Sequence, residues 1–578
     1  MLVFLLPVTA LALSPVLFAN FVRLDDYSHL FENPQLRRMS VSGLTALWAK
    51  SYFSLYIPVT YSVWWALSMI GSLFGELQQN PWIFHSFNLA VHLANVTLAF
   101  FVVRTLIRVG GRHTPAREGA IDDGIALVSA LYFALHPVQT ETVAWVSELK
   151  GELAALFGLL GLFWHFRSSK RIPTAVFFMM AMLSKPSAIV FPGIVFVIDR
   201  ILLQKSLAKS ATAPAVYCAP LLILAIATKH LQPDSEQDFI PTIAQRLVVA
   251  SDAISFYVSK VLVPFPLAVD YGRTPELVLG NTAVSSLGYS ILLSAAGVAA
   301  VLWVLFRPSL SARVEPWLSL VSCGWAIFIV SILPVLGLIP FAFQNLSTVA
   351  DHYLYVPLLG ASLFVAGMLV RFRAYPRSRY IAAAPLLVLT ALSVQQARLW
   401  RSTETLFAHT LKINPKSYLG AFCIGDELLR AGRVDEAIEW LERSRAIKPD
   451  YLTAAITLGM AYTRNGEPGK AVDLYNATLG TNPSIAGTRA KSVASIHNNL
   501  GMLLMQAGLT EVGVEHFKTA VTVFPRSLNA HMNLGNFAFA EQRYTEAVAE
   551  YETARSLSPD NPGIEQRLEM ARRRAEPQ

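Results

Sequence analysis

Two adjacent carboxylates, Asp25 and Asp26, follow directly on the first apolar stretch of the chain, in Phe21-Val22-Arg23-Leu24-Asp25-Asp26-Tyr27. Neighbouring carboxylates repel, so one of the two acquires a raised pKa suited to general-base work, and the competing reading is an ordinary polar membrane boundary. Cations stand at other apolar boundaries: Lys150, Lys185 and His352. His85, Asn88 and His92 fall at i, i+3 and i+7, on one face of a helix. They could orient a polar headgroup, bind a metal or satisfy one another, and with no carboxylate in that segment the metal is the weakest option. His136 and Glu141 lie in His136-Pro137-Val138-Gln139-Thr140-Glu141, followed by Trp145, Glu148, Lys150 and Glu152. Asp351, His352, Tyr353 and Tyr355 form another polar group. Ionisable residues beside hydrocarbon are costly and are candidates for function by default. The alternating run Asp234, Glu236, Asp238 reads instead as a solvated loop.

The elements that must position these groups are membrane helices. Of 578 residues, 54% are hydrophobic and only 15% charged, whereas a soluble domain carries about 25% charged residues. A hydrocarbon core roughly 30 Å thick takes about 20 apolar residues per helix. By that measure about eleven spans are expected, near residues 2–20, 84–106, 121–136, 148–166, 172–186, 187–204, 212–230, 283–306, 317–338, 353–371 and 380–396. Ser184-Lys185-Pro186 then reads as a tight turn at one membrane face. No basic leader with a cleavage site opens the chain, so the first stretch is expected to stay as a span.

The net charge of +8 does not signal nucleic acid, because the basic residues concentrate in short loops where membrane orientation explains them. Arg104, Arg108, Arg112 and Arg117 form one such loop; others hold Arg167 to Arg171, Arg200 to Lys209, Arg307 and Arg313, and Arg371 to Arg379. These loops are assigned to the cytoplasm, with the N-terminus. An odd span count puts the C-terminus on the far face, with the carboxylates and cations above. Two long loops share that face. Residues 21–82 are rich in Trp and Tyr, as expected of helices in the headgroup layer, and residues 230–281 include an apolar stretch, Ile243 to Val263, read as interfacial rather than spanning. Cys218, Cys323 and Cys423 show neither disulfide nor zinc spacing.

After Arg398 the composition is that of a soluble helical protein. Pro415, Pro449, Pro483, Pro525 and Pro559 are separated by 34, 34, 42 and 34 residues, and 34 is the tetratricopeptide period. Gly425, Gly459, Gly501 and Gly535 recur where paired helices must approach closely, and Ala437, Ala471, Gly513 and Ala547 mark a second tight position. The longer interval places an insertion near Ser484 to Lys491, a half-repeat runs from Trp400 to Pro415, and a helix near Ile564 to Arg574 caps the array. The expected fold is all-α: a polytopic membrane bundle in residues 1–397, then a tetratricopeptide α-solenoid in 398–578. Such arrays bind extended peptides or partner proteins in a concave groove, or serve only in stabilisation or oligomerisation.

Several segments together resemble one family. The Asp-Asp pair, Asn33-Pro34, Phe84 to His92, His136 to Ser147, the Ser-Lys-Pro turn and Ala350 to Pro357 look like the transmembrane and tetratricopeptide repeat-containing O-mannosyltransferases and their bacterial relatives. The chain departs from that pattern at His352, where relatives often have Arg, and at Glu148-Leu149-Lys150, where they often have Gly-Arg. The resemblance implies a C-type glycosyltransferase fold, with a polyprenyl-phosphate-linked sugar as donor and catalysis on the lumenal or periplasmic face. It implies a membrane enzyme, in a bacterial inner membrane with periplasmic repeats, that moves one sugar to a hydroxyl of an extracytoplasmic protein (O-glycosylation, on the family's pattern O-mannosylation). Asp25 or Asp26 would be the base, with a slight preference for Asp26; Lys150, Lys185 and His352 would contact the donor phosphate. His85, Asn88, His92, His136, Glu141, Asp351, Tyr353 and Tyr355 would line the donor and acceptor pocket. No cofactor is required, and a divalent ion is an allowed addition that the sequence does not demand. Two other readings are a lipid-linked oligosaccharide ligase, which would carry catalytic Arg and His on a late far-side loop, and a non-enzymatic repeat scaffold anchored in the membrane.

Overall fold

The fold comes from a computed structural model, which describes residues 1–37, 40–53, 55–76, 80–110, 116–168, 170–231, 239–280, 284–306, 315–373, 378–481, 487–559 and 561–576. The acidic run Asp234, Glu236, Asp238, the basic loop residues Arg112, Arg307, Arg313 and Arg377, and Ser484 of the insertion lie outside them. All named elements among the described residues are helical. The chain divides into two compact units, Met1–Pro415 and Lys416–Gln578.

Among the described residues of the first unit, three helical segments are long and apolar enough to cross a bilayer: Pro81–Gly110, Leu207–Leu231 and Pro316–Val335. Leu2–Phe18, Arg171–Ser184, Ser294–Trp303 and Pro357–Arg371 are apolar but shorter. The hydropathy pattern therefore runs ahead of the helices, many of which are interrupted. The expected turn at Lys185 illustrates this: the helix Arg171–Ser184 stops, Lys185 is extended, and a short 3-10 turn, Pro186–Val190, leads into the helix Phe191–Ile201. Proline opens many of the helices, at Pro58, Pro316 and Pro357 among others, where its missing N–H costs nothing.

Glycine allows one close helix pair. A β-carbon on Gly324 would lie 2.6 Å from the Gly360 carbonyl oxygen, and one on Gly360 would lie 2.5 Å from that of Gly324. The helices Pro316–Ile332 and Pro357–Arg371 thus touch backbone to backbone, the small-residue contact favoured where no hydrophobic drive exists between helices. The segment 243–263 forms the helix Ile243–Leu262 behind a Thr242/Gln245 capping box, burying one face through Val249, Ala253 and Tyr257 while Ile243, Leu247 and Leu262 are exposed.

The aromatic segment after the first helix turns part of its side chains inward. Tyr61 and Trp64 are buried and join Phe21, Leu30, Phe84, Val146 and Leu149 in one apolar cluster. Trp48, Phe53, Phe74 and Trp82 of the same segment are exposed. This segment is therefore folded over the start of Pro81–Gly110 and Leu149–Arg167, because its own small core is completed by theirs.

The second unit stacks four helix pairs: Tyr418–Arg430 with Val434–Ile447, Leu452–Arg464 with Pro468–Gly480, Gly487–Gln506 with Thr510–Val523, and Leu528–Ala540 with Tyr544–Leu557. Pro562–Ala575 closes the array. Each recurring glycine admits a large side chain from its partner helix, Tyr475 against Gly459 and Tyr551 against Gly535 for example. The third pair begins with a helix of 20 residues where the others begin with 13, so part of the insertion lengthens that helix at its start.

Candidate functional site

Segments far apart in sequence bring their charged groups to one place in the first unit. The loop after the first helix carries Asp25 and Asp26; the turn Val146–Glu148 and the start of Leu149–Arg167 carry Ser147, Glu148 and Lys150. The break before Pro186–Val190 carries Lys185, and the turn Asp351–Leu354 carries His352.

Glu148 is the centre of this cluster. Its carboxylate is 1% exposed and bridges two ammonium groups, Lys150 Nζ at 3.0 Å and Lys185 Nζ at 2.8 Å, with His352 Nε2 at 4.0 Å. Both lysines keep some exposure, 11% and 16% of the side chain, while the carboxylate between them is buried. Lys150 also lies over the Trp145 ring and Lys185 over that of Tyr353. A carboxylate behind two lysines orients both and keeps them from repelling each other. Sequence reasoning passed over Glu148 as a site residue, although its position two residues before Lys150 was the available signal.

The two aspartates differ in what they bond. Asp26 is fully buried: one oxygen accepts from Val22 N at 3.0 Å, and the other from Ser147 N at 2.9 Å and Ser147 Oγ at 2.7 Å. Burial lifts its pKa to about 6, against the pull of those donors. Asp25 is half-buried, and among the described residues its carboxylate makes no hydrogen bond and no ion pair. Burial raises its pKa too, while the Lys150 charge opposes the shift.

His352 does not enter as a cation. Burial lowers its pKa to about 3, leaving a neutral ring whose Nδ1 pairs with Glu141 Oε1 at 2.5 Å. Glu141 is itself raised well above the usual carboxylate range, by burial first and by Asp351 second. Asp351 accepts from Tyr271 Oη at 2.9 Å and is raised to about 7 by burial. Tyr353 packs its ring 4.3 Å from that of His352.

Of the remaining candidates, Tyr355 lines the same small cavity as Lys185 and His352. His92 spans Tyr355 Oη, at 2.8 Å, and the Ala134 carbonyl, at 3.3 Å, and Asn95 donates to the same Tyr355 hydroxyl. Asn88 donates to the Trp145 carbonyl at 3.3 Å and so fixes the turn that bears Ser147 and Glu148. His85 is buried beside Phe21, and His136 pairs with the Val261 carbonyl at 3.2 Å. These groups tie helices and turns together around the charged cluster. Among the described residues, no three His, Cys, Asp or Glu side chains converge as a metal-ligand set.

The root of the repeats is bonded to the same loop. Asn20 N donates to the Arg401 carbonyl at 3.1 Å, Arg23 N donates to Thr403 Oγ1 at 3.1 Å, and the Trp400 and Trp145 rings stack 6.4 Å apart. The helix Thr403–Ile413 belongs with the first unit, where His409 also bonds the Leu267 carbonyl.

Apolar helices that gather a charged cluster, continued by a helical-repeat array, define the class: an all-helical membrane protein with a tetratricopeptide domain. The family described as Tetratricopeptide repeat matches residues 414–484 and 498–562. Protein O-mannosyl-transferase TMTC3 of Homo sapiens is 21% identical over 616 residues, covering 94% of this chain and 59% of that protein. The Drosophila melanogaster protein Tmtc3 is 25% identical over 250 residues, covering 42% of this chain and 23% of its own. The chain is a distant relative of the transmembrane and tetratricopeptide repeat-containing O-mannosyltransferases, and it spans about three fifths of the length of the human protein. Among solved structures, the MamA protein is similar at 18% identity, with a TM-score of 0.23 over 27% of this chain and 82% of that one. Yeast Tom70 is similar at 12% identity, with a TM-score of 0.22 over 79% and 93%.

Proposed function

We propose that the protein is a membrane glycosyltransferase that moves a single sugar from a polyprenyl-phosphate donor to a hydroxyl of an extracytoplasmic protein. On this reading the first unit crosses the membrane about eleven times, with the N-terminus in the cytoplasm. The charged cluster and the repeats then share the far face, which is the periplasm if the protein is bacterial. The repeats engage the acceptor protein. Support comes from the distant similarity to protein O-mannosyltransferases along 94% of the chain.

The observation that carries the chemistry is the contrast between the two aspartates beside a lysine pair. Asp26 has its oxygens committed to Val22 and Ser147, whereas the Asp25 carboxylate is unbonded, partly exposed and within electrostatic reach of Lys150. Asp25 is therefore the better base, reversing the slight preference for Asp26. In the reaction, the acceptor oxygen bonds to the anomeric carbon, the bond from that carbon to the phosphate oxygen breaks, and the acceptor proton passes to Asp25. The products are a glycosylated protein and a polyprenyl phosphate. Negative charge grows on the departing phosphate, and Lys150 and Lys185 are positioned to neutralise it. His352 contributes an N–H rather than a charge. Transfer of labelled sugar by the purified chain in lipid nanodiscs, from a polyprenyl-phosphate sugar to an acceptor protein, tests the reading. No transfer from any such donor would remove it.

A further inference from the structure

Two positions of the repeat, one on each helix of a pair, change chemistry along the array. Placed four residues before and fifteen after the recurring glycine, they hold Ala421 and Trp440 in the first pair and Ala455 and Leu474 in the second. In the third pair they hold His497 and His516, and in the fourth His531 and Glu550. Side chains that only pack thus give way to side chains that bind protons or metals.

His497 Nδ1 and His516 Nδ1 lie 2.9 Å apart, with the ring centroids 5.1 Å apart and the planes tilted by 31°. Both rings are half-buried, so solvent reaches them. The backbone holds them opposed: a β-carbon on Gly501 would lie 2.7 Å from the Gly513 carbonyl oxygen, and one on Gly513 would lie 2.7 Å from that of Gly501. His497 stands one turn before Gly501 and His516 one turn after Gly513, so this close approach fixes the spacing of the two imidazoles.

The fourth pair shows what a proton does at the same positions. His531 Nδ1 meets a Glu550 carboxylate oxygen at 2.6 Å and its Nε2 meets the Pro525 carbonyl at 2.9 Å, so both ring nitrogens face acceptors. His497 faces a second base instead. Two neutral imidazoles with their protons on Nε2 aim both Nδ1 lone pairs at one point, the arrangement a metal ligand pair requires. Zinc–nitrogen bonds of 2.0 to 2.1 Å in tetrahedral geometry set ligand nitrogens about 3.3 Å apart, so the rings need part only slightly to admit an ion.

We propose that His497 Nδ1 and His516 Nδ1 hold a divalent transition-metal ion of the zinc class, which clamps the two helices of the third pair together. Among the described residues no third His, Cys, Asp or Glu joins them, so water fills the other coordination positions and the ion stays exchangeable. Imidazole ligands select against magnesium and calcium, which take oxygen donors. The ion acts on the repeat array and supplies nothing to the transfer chemistry.

The test titrates the tag-free full chain in nanodiscs with Zn²⁺ against a chromophoric chelator, beside a thermal melt. One Zn²⁺ per chain is expected, with affinity at least tenfold lower in His497→Ala/His516→Leu. That double variant installs the residue pair the second repeat already uses, so it should fold, and its metal-free melt should match that of the wild type. His516→Cys exchanges one zinc ligand for another and should retain binding, and His531→Ala should leave it unchanged. Zn²⁺ should raise the melting temperature of the wild type but not of the double variant, and Mg²⁺ should raise neither. Equal Zn²⁺ affinity in the wild type and the double variant would place the ion elsewhere on the chain and overturn the assignment. Absence of saturable Zn²⁺ binding would overturn it too, leaving a proton shared between two rings.

Discussion

Replacing Asp25 and Asp26 one at a time separates a catalytic carboxylate from a structural one. Asp25→Asn keeps the shape of a side chain that makes no hydrogen bond among the described residues, so folding has little to lose. If its carboxylate takes the acceptor proton, turnover should fall by roughly 10² to 10⁴, or about 2.7 to 5.5 kcal/mol of transition-state stabilisation. Donor affinity should change little, because on the proposed function Lys150 and Lys185 hold the phosphate. Turnover of the wild type should rise with pH with unit slope, through a midpoint above the ordinary aspartate value of 3.8, since burial raises this group. That acidic limb should vanish in Asp25→Asn. Asp26→Asn should lower turnover less than tenfold. Ser147→Ala removes one donor, at 2.7 Å, from a buried carboxylate, and a hydrogen bond to a charged group contributes about 1.5 to 3 kcal/mol. Its signature is a lower melting temperature with turnover largely kept. The assay is single-turnover sugar transfer beside a fluorescence melt of each variant. Near-normal turnover in folded Asp25→Asn, with a hundredfold loss in Asp26→Asn, would refute the assignment.

In the repeats, a β-carbon on Gly459 would lie 2.2 Å from the Tyr475 ring, so Gly459→Val should destabilise by about 1 to 3 kcal/mol, whereas Gly480→Ala meets no atom within 4 Å and should be neutral or mildly stabilising; circular-dichroism melts read both. Deleting everything from Lys416 onward should abolish transfer to protein yet leave prenyl-phosphate binding within about threefold of the full chain. Equal loss of both would make the array structural. A reporter fused after Arg379 should be cytoplasmic and one fused after Gln578 extracytoplasmic, and finding both on one side would remove the odd span count.

The repeats were legible because a 34-residue period repeats the same contact, glycine against a large side chain, and a periodic demand leaves a periodic sequence. The membrane helices were legible as apolar stretches but not as lengths, since the breaks at Lys185 and before Pro357 are made by local turns that hydropathy averages away. The charged cluster was legible in its members and not in its wiring. The partner that commits Asp26, Ser147, is 121 residues away, and Glu148 meets Lys185 across 37. His352 looked like a cation by residue type; burial beside Glu141 decides otherwise. The His85, Asn88 and His92 stripe was visible from helical spacing, but spacing could not tell a pocket from the ties to Trp145 and Tyr355 that the fold makes with it.

The bonds from Asn20 and Arg23 to Arg401 and Thr403 make the first helix after the last apolar one a fixture of the loop that bears the aspartates. A seam in the chain's design then falls at Pro415, after that fixture and before the first full repeat. Anything spliced in beyond the seam inherits a rigid stump already fastened beside the chemistry, so repeats can be added, lost or exchanged without retuning Asp25. On the proposed function, choice of client and the act of transfer are then free to diversify at separate rates.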